Sequence, residues 1–263
     1  MVLSRFSRVV LAGAIFGVAA ISSATSFRFQ IPAPVPPVLQ DVHRVVCLGD
    51  SITEQGENPG GYVWLLRRYL ERLYPEQRIE TLNAGKSGHK STDMMARFRR
   101  DVLDKHPDLV TISVGVNDVW HGFYDGHPMG DGPRGIRVEE YRDKVDSMVS
   151  QAQALGIKVV ILSTTVIHED LENRENAKAT RYNEILMAIA RAHRCPYVNF
   201  QVPFRTLIRD YQRTTGGHEN VLTVDGVHMN TLGNQVMAHT ILSDIGVPHA
   251  AQQRVQEMLE RER

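Results

Sequence analysis

Four short segments of this 263-residue chain hold the side chains whose types and spacing could do chemistry. In Gly49-Asp50-Ser51-Ile52-Thr53 a glycine permits a sharp turn that leaves the Ser51 hydroxyl at its tip. A serine hydroxyl is a weak nucleophile until a base takes its proton. Asp50 and Ser51 are also good helix caps, so this segment alone does not separate catalysis from capping. Asp225-Gly226-Val227-His228 supplies such a base. An Asp three residues before a His can accept from the imidazole Nδ1–H, which leaves Nε2 free to take a serine proton. The second His of the helical zinc motif is missing, so no metal is expected there. Asn83-Ala84-Gly85-Lys86-Ser87-Gly88-His89 and Gly115-Val116-Asn117-Asp118 offer backbone amides and a carboxamide. Two such donors and the nucleophile's own amide would make an oxyanion hole where negative charge develops. Gly, Asn and Asp are equally the commonest turn formers, so each segment singly reads as a turn.

The elements between these segments say where they sit. Apolar, β-branched runs at 44–49, 79–83, 109–114, 158–163 and 197–200 predict strands. Segments 61–73, 92–103, 138–155, 177–193, 231–242 and 250–260 carry apolar residues at three- and four-residue spacing and predict helices. Such alternation predicts an α/β fold, a parallel sheet covered by helices on both faces. Ligands of open, doubly wound sheets bind outside the carboxyl ends of the strands, where three of the four segments fall. The buried run around Cys47 makes that thiol a small core hydrophobe, and two distant cysteines, Cys47 and Cys195, form no disulfide framework.

With all four segments in order, the chain resembles the GDSL/SGNH hydrolases over roughly residues 44–245. The family's blocks are matched by Gly49-Asp50-Ser51, by Gly88, by Gly115-Val116-Asn117-Asp118 and by Asp225-Gly226-Val227-His228. The resemblance implies Ser51 as nucleophile, His228 as general base and acid, and Asp225 as its support. It implies an oxyanion hole from the amides of Ser51 and Gly88 and the side chain of Asn117. It also implies a three-layer, flavodoxin-like fold with a five-stranded parallel sheet, acyl transfer through an acyl-enzyme, and no cofactor.

Rival motifs fail on spacing. Gly85-Lys86-Ser87 resembles the tail of a phosphate-binding loop, yet Glu80 stands where that loop needs its first glycine. Ser87-Gly88-His89-Lys90 spells the Ser-x-x-Lys of penicillin-recognising enzymes without their other signatures, and no Gly-x-Ser-x-Gly elbow is present. Thirty basic residues balance thirty acidic ones, which excludes a nucleic-acid footprint.

The chain opens on Arg5 and Arg8, an uncharged run over 9–21 and the small residues Ser22-Ser23-Ala24. That order predicts a signal peptide over 1–30, or an anchor tethering the chain through 9–21 if uncleaved. Export, periplasmic or secreted, follows from either. A Pro-rich linker is expected over 31–41 and the hydrolase domain over 42–263. The loop 120–134 mixes Trp120, His121, Phe123 and Tyr124 with Asp, His and Arg next to Asn117. Aromatic faces flanked by polar groups suit sugars, so Trp120 and His121 are expected to line the substrate site, unless the rings pack only on one another. His168-Glu169-Asp170 is expected at the same cleft. An acetylesterase acting on acetylated carbohydrate is the first expectation. A lysophospholipase or acyl thioesterase is the second, and an inactive carbohydrate-binding protein is the alternative of another class.

Overall fold

The computed structural model describes residues 33–262. Expectations for 1–30, including the apolar run 9–21, lie outside the described residues. Five parallel strands, β1 (Arg44–Gly49), β2 (Glu80–Gly85), β3 (Leu109–Ser113), β4 (Lys158–Leu162) and β5 (Tyr197–Val198), form one sheet in the order β2-β1-β3-β4-β5. β1 is interior, between β2 and β3, with Val46 beside Leu82 of β2 and Val110 of β3. The interior strands bury nearly every residue because helices cover both faces, so they read as unbroken apolar runs.

One covering layer holds α2 (Tyr62–Leu73), α8 (Thr231–Asp244) and α9 (His249–Arg261); the other holds α3 (Ser91–Asp101), α5 (Val138–Ala154) and α6 (Arg174–Ala192). α2 shows the reason most plainly. Tyr62, Leu65, Leu66, Tyr69, Leu70 and Leu73 recur at helical spacing and are all buried. Each such leucine contributes about 1.5–3 kcal/mol through the apolar surface it removes from water.

Three helices were not expected. α1 (Ser51–Gln55) and α4 (Val116–Trp120) are single turns at the ends of β1 and β3. α7 (Gln201–Thr215) buries only Phe204 and Ile208 and carries Pro203 in its first turn, where a missing N–H is harmless. β5 stops at Val198, short of the strand expected to residue 200. Nor is 31–41 a free spacer over its described part. Pro37–Leu39 form a 3-10 turn, Leu39 is buried in the core, and its carbonyl accepts from Gln77 Nε2 at 2.9 Å. Burial of Leu39 and Val42 pins this stretch to the domain. Cys47 lies wholly in the core, where desolvation pushes its thiol up to about 11, and Cys195 is also free. Among the described residues no helix is long and apolar enough to cross a membrane.

The strand order reverses between β2 and β3, on either side of β1. The carboxyl edge around β1 is therefore the crevice where such sheets take ligands.

Candidate active site

Ser51 is the first residue of α1, directly after the β1 turn. Asp50 caps this helix by accepting from the Ile52 amide at 3.0 Å, so the capping role read from the sequence falls to Asp50 and not to the Ser51 hydroxyl. Gly85 at the end of β2 lets α1 settle there, since a Cβ on it would lie 2.1 Å from the Glu54 amide nitrogen.

His228 reaches this serine from the loop before α8. Its Nε2 lies 2.9 Å from Ser51 Oγ, and its Nδ1 lies 2.7 Å from Asp225 Oδ2. Oδ1 of Asp225 accepts from the backbone N–H groups of Val227 at 3.0 Å and His228 at 2.8 Å. One oxygen thus fixes the turn while the other faces the ring. An ionised carboxylate there is acceptor-only, so Nδ1 carries the proton and Nε2 presents its lone pair to the serine. For Asp225, desolvation raises the carboxyl pKa, but the His228 and Val227 donors outweigh it and the net direction is down. Three of the residues singled out from the sequence therefore form one hydrogen-bond chain.

Asn117 reaches the turn of Gly88 at the next residue, His89. Asn117 is the second residue of α4, is buried, and donates through Nδ2 to the His89 carbonyl at 3.1 Å, leaving its second N–H unspent on that bond. Gly88 holds the left-handed φ of +76° that its turn requires, with open space where a Cβ would stand. The turn itself is gripped from two sides. Glu54 of α1 accepts from the Ser87 amide at 3.0 Å and from the Ser87 hydroxyl, which holds its carboxyl below the usual range.

Arg97 of α3 is buried behind the turn. It donates to the carbonyls of Gly49 at 2.9 Å and Ala84 at 2.8 Å and to His89 Nδ1 at 3.0 Å. One guanidinium therefore ties the nucleophile turn to the Gly88 turn, with Asp101 balancing its charge at 3.0 Å. Burial, and then the Arg97 charge, push the His89 imidazole down, so it stays neutral and accepts from Arg97. Neither Arg97 nor Glu54 stood out in the sequence. The one available signal was an arginine on the buried stripe of α3, three residues after Met94 and one before Phe98.

Two buried carboxyl groups back the site. Asp118 accepts from the Ser91 hydroxyl at 2.5 Å and amide at 3.0 Å, joining α4 to the start of α3; desolvation raises it to about 6. Asp50 is likewise raised to about 6, first by burial and further by the neighbouring Asp118.

Trp120 and His121 follow at the end of α4, both half-buried. Trp120 meets Tyr124 edge-on at 5.5 Å and His168 at 5.9 Å, and His121 tilts against Tyr124 at 5.0 Å. Arg134 lies over Tyr124 at 4.8 Å. The rings of the 120–134 loop therefore do pack on one another, and they stand beside the helix that carries Asn117. Among the grooves of the described residues are four of about 390 to 870 Å³ whose linings do not include Ser51 or His228. Among the described residues no three His, Cys, Asp or Glu side chains converge as a metal site needs.

The three-layer α/β domain thus carries a Ser–His–Asp hydrogen-bond chain at the carboxyl edge of β1. The chain belongs to the GDSL-like Lipase/Acylhydrolase family, whose profile matches residues 47–236. It is 27% identical over 214 residues to an acetylxylan esterase of Geobacillus stearothermophilus, covering 77% of this chain and 94% of that protein. It is 25% identical over 186 residues to Esterase TesA of Pseudomonas aeruginosa, covering 70% and 78%. The crystal structure of an acetyl xylan esterase superposes with a TM-score of 0.65 at 29% identity, covering 76% of this chain and 98% of that one.

Proposed function

We propose that this protein is a serine esterase that removes short acyl groups, acetyl above all, from acetylated carbohydrate. The observation that carries the mechanism is the Asp225–His228–Ser51 chain, at 2.7 and 2.9 Å. Ser51 Oγ attacks the ester carbonyl as His228 Nε2 takes its proton. The amides of Ser51 and Gly88 and the Asn117 carboxamide receive the oxyanion. His228 then gives the proton to the leaving alcohol, and Asp225 stabilises the imidazolium in between. Water, deprotonated by the same histidine, releases the acid and restores Ser51.

The substrate class is supported by the likeness to acetylxylan esterases and by the aromatic and polar loop beside Asn117. The same likeness to acetylxylan esterases supports a short acyl group. The likeness to Esterase TesA supports ester hydrolysis as the reaction. We further propose export through residues 1–30, with the catalytic domain running from residue 42 to the end of the described chain. The test is a substrate panel: acetylated xylo-oligosaccharides against lysophospholipid and acyl thioesters, with p-nitrophenyl acetate against the decanoate. Faster turnover of acetate and release of acetate from xylan are expected. Faster turnover of decanoate would overturn the short-acyl assignment.

A further inference from the structure

After β4 the chain runs to His168-Glu169-Asp170, which the sequence placed at the cleft. Glu169 does not line it. Its residue exposure is 5%. Instead its carboxylate accepts four hydrogen bonds. Oε2 takes the Val221 amide at 2.7 Å; Oε1 takes the amides of Leu222 and Thr223, both at 2.9 Å, and the Thr223 hydroxyl at 2.6 Å. Residues 221–223 lie in the loop between α7 and α8 that carries Asp225 and His228.

The grip continues into that loop. Thr223 Oγ1, its hydrogen spent on Glu169, accepts from the Gly226 amide at 3.1 Å. The Gly226 carbonyl in turn accepts from the His168 amide at 2.7 Å. Of the two backbone groups of Gly226, the carbonyl is thus held directly by the segment after β4, and the N–H through Thr223, which Glu169 holds. Gly226 has a φ of +94°, and a Cβ there would meet His168 Nδ1 at 2.5 Å, so no larger residue fits this contact. The Val224 amide closes the loop on the His228 carbonyl at 2.8 Å.

We propose that Glu169 is a positioning residue for the reaction: through Thr223 and Gly226 it sets Asp225 and His228 at the distances Ser51 requires. The inference rests on the reading of His228 as the base. A carboxylate suits the role because it is acceptor-only and can take several donors on two oxygens. Glutamine at this site would turn one acceptor oxygen into an NH2 group facing an N–H, which breaks bonds and sets donor against donor.

Glu169→Gln and Thr223→Val are assayed with p-nitrophenyl acetate, with proton NMR of the low-field His228 Nδ1–H resonance as a second readout. In Glu169→Gln the expected result is a kcat loss of about 10- to 100-fold with KM nearly unchanged, because small misplacements of reacting groups cost that much. The low-field resonance should also broaden or move upfield. Thr223→Val, which keeps the side-chain shape, should shift both readouts the same way by less, and it carries the test alone if the glutamine variant does not fold. A near-wild-type kcat with an unmoved resonance would overturn the inference, as would a kcat loss without any change at His228. His228→Ala separates the two levels. If it is inactive while Glu169→Gln is normal, the Glu169 role alone fails; if it is fully active, the base assignment itself fails.

Discussion

Replacing Asp225 by Asn tests how the histidine is held. Oδ1 accepts from two backbone N–H groups, at 3.0 and 2.8 Å, whereas Oδ2 faces only the imidazole Nδ1 at 2.7 Å. An asparagine must keep its oxygen on the two backbone donors, which turns its NH2 group toward Nδ1. Nδ1 must then accept, and the ring proton moves to Nε2, 2.9 Å from Ser51 Oγ. The base is present, well placed and unable to accept. In a buried triad this wrong tautomer costs about 10⁴-fold in kcat. Asp225 has a side-chain exposure of 51%, so water can compete for the ring, and about 10²- to 10³-fold is expected here. The assay is the initial rate of p-nitrophenyl acetate hydrolysis, with circular dichroism showing the fold intact. A variant within about threefold of wild type would refute the tautomer argument, since that is far less than loss of a working base entails.

Asn117→Ala should lower kcat by about 10²- to 10³-fold with little change in KM, as removal of one oxyanion donor does; a loss confined to KM would contradict that role. Asp118 gives a pH dependence of stability. Its folded pKa of about 6 lies above the ordinary 3.8, so the native state holds this proton longer than the unfolded chain. The stability it contributes is full below about pH 4 and is lost as pH rises through 6, on the order of 3 kcal/mol in all. Asp118→Asn lacks that titration, so the stability advantage of wild type over it should shrink between pH 4 and 7 in chemical denaturation; a gap constant with pH would count against the buried carboxyl.

Much of the frame was legible because each signal was local. β1 has the bounds expected for it, residues 44–49, since a strand buried on both faces must be apolar throughout. Asp225 and His228 lie three residues apart, so their pairing follows from one turn of chain. α1 and α4 are too short for any periodicity to show, and α7 buries too few side chains to announce a face. The supporting residues were hidden for another reason. Arg97 meets Gly49 across 48 positions, Ser87 meets Glu54 across 33, and Glu169 meets Thr223 across 54. Such pairs become neighbours only once the sheet is assembled. Glu169 was visible as a charged residue at a strand end, but its burial was not, and that turned an expected cleft residue into a clamp. The linker expected over 31–41 shows the same limit: its prolines read as a spacer, while Leu39 found a place in the core.

The central claim is that Ser51 is activated by His228. A fluorophosphonate probe reacts only with a serine whose proton is being taken, so peptide mapping after labelling tests it most directly. The expected result is one probe per chain, on Ser51, with labelling abolished in Ser51→Ala and strongly slowed in His228→Ala. Labelling of another residue, or a Ser51→Ala protein that still hydrolyses p-nitrophenyl acetate at the wild-type rate, would contradict it.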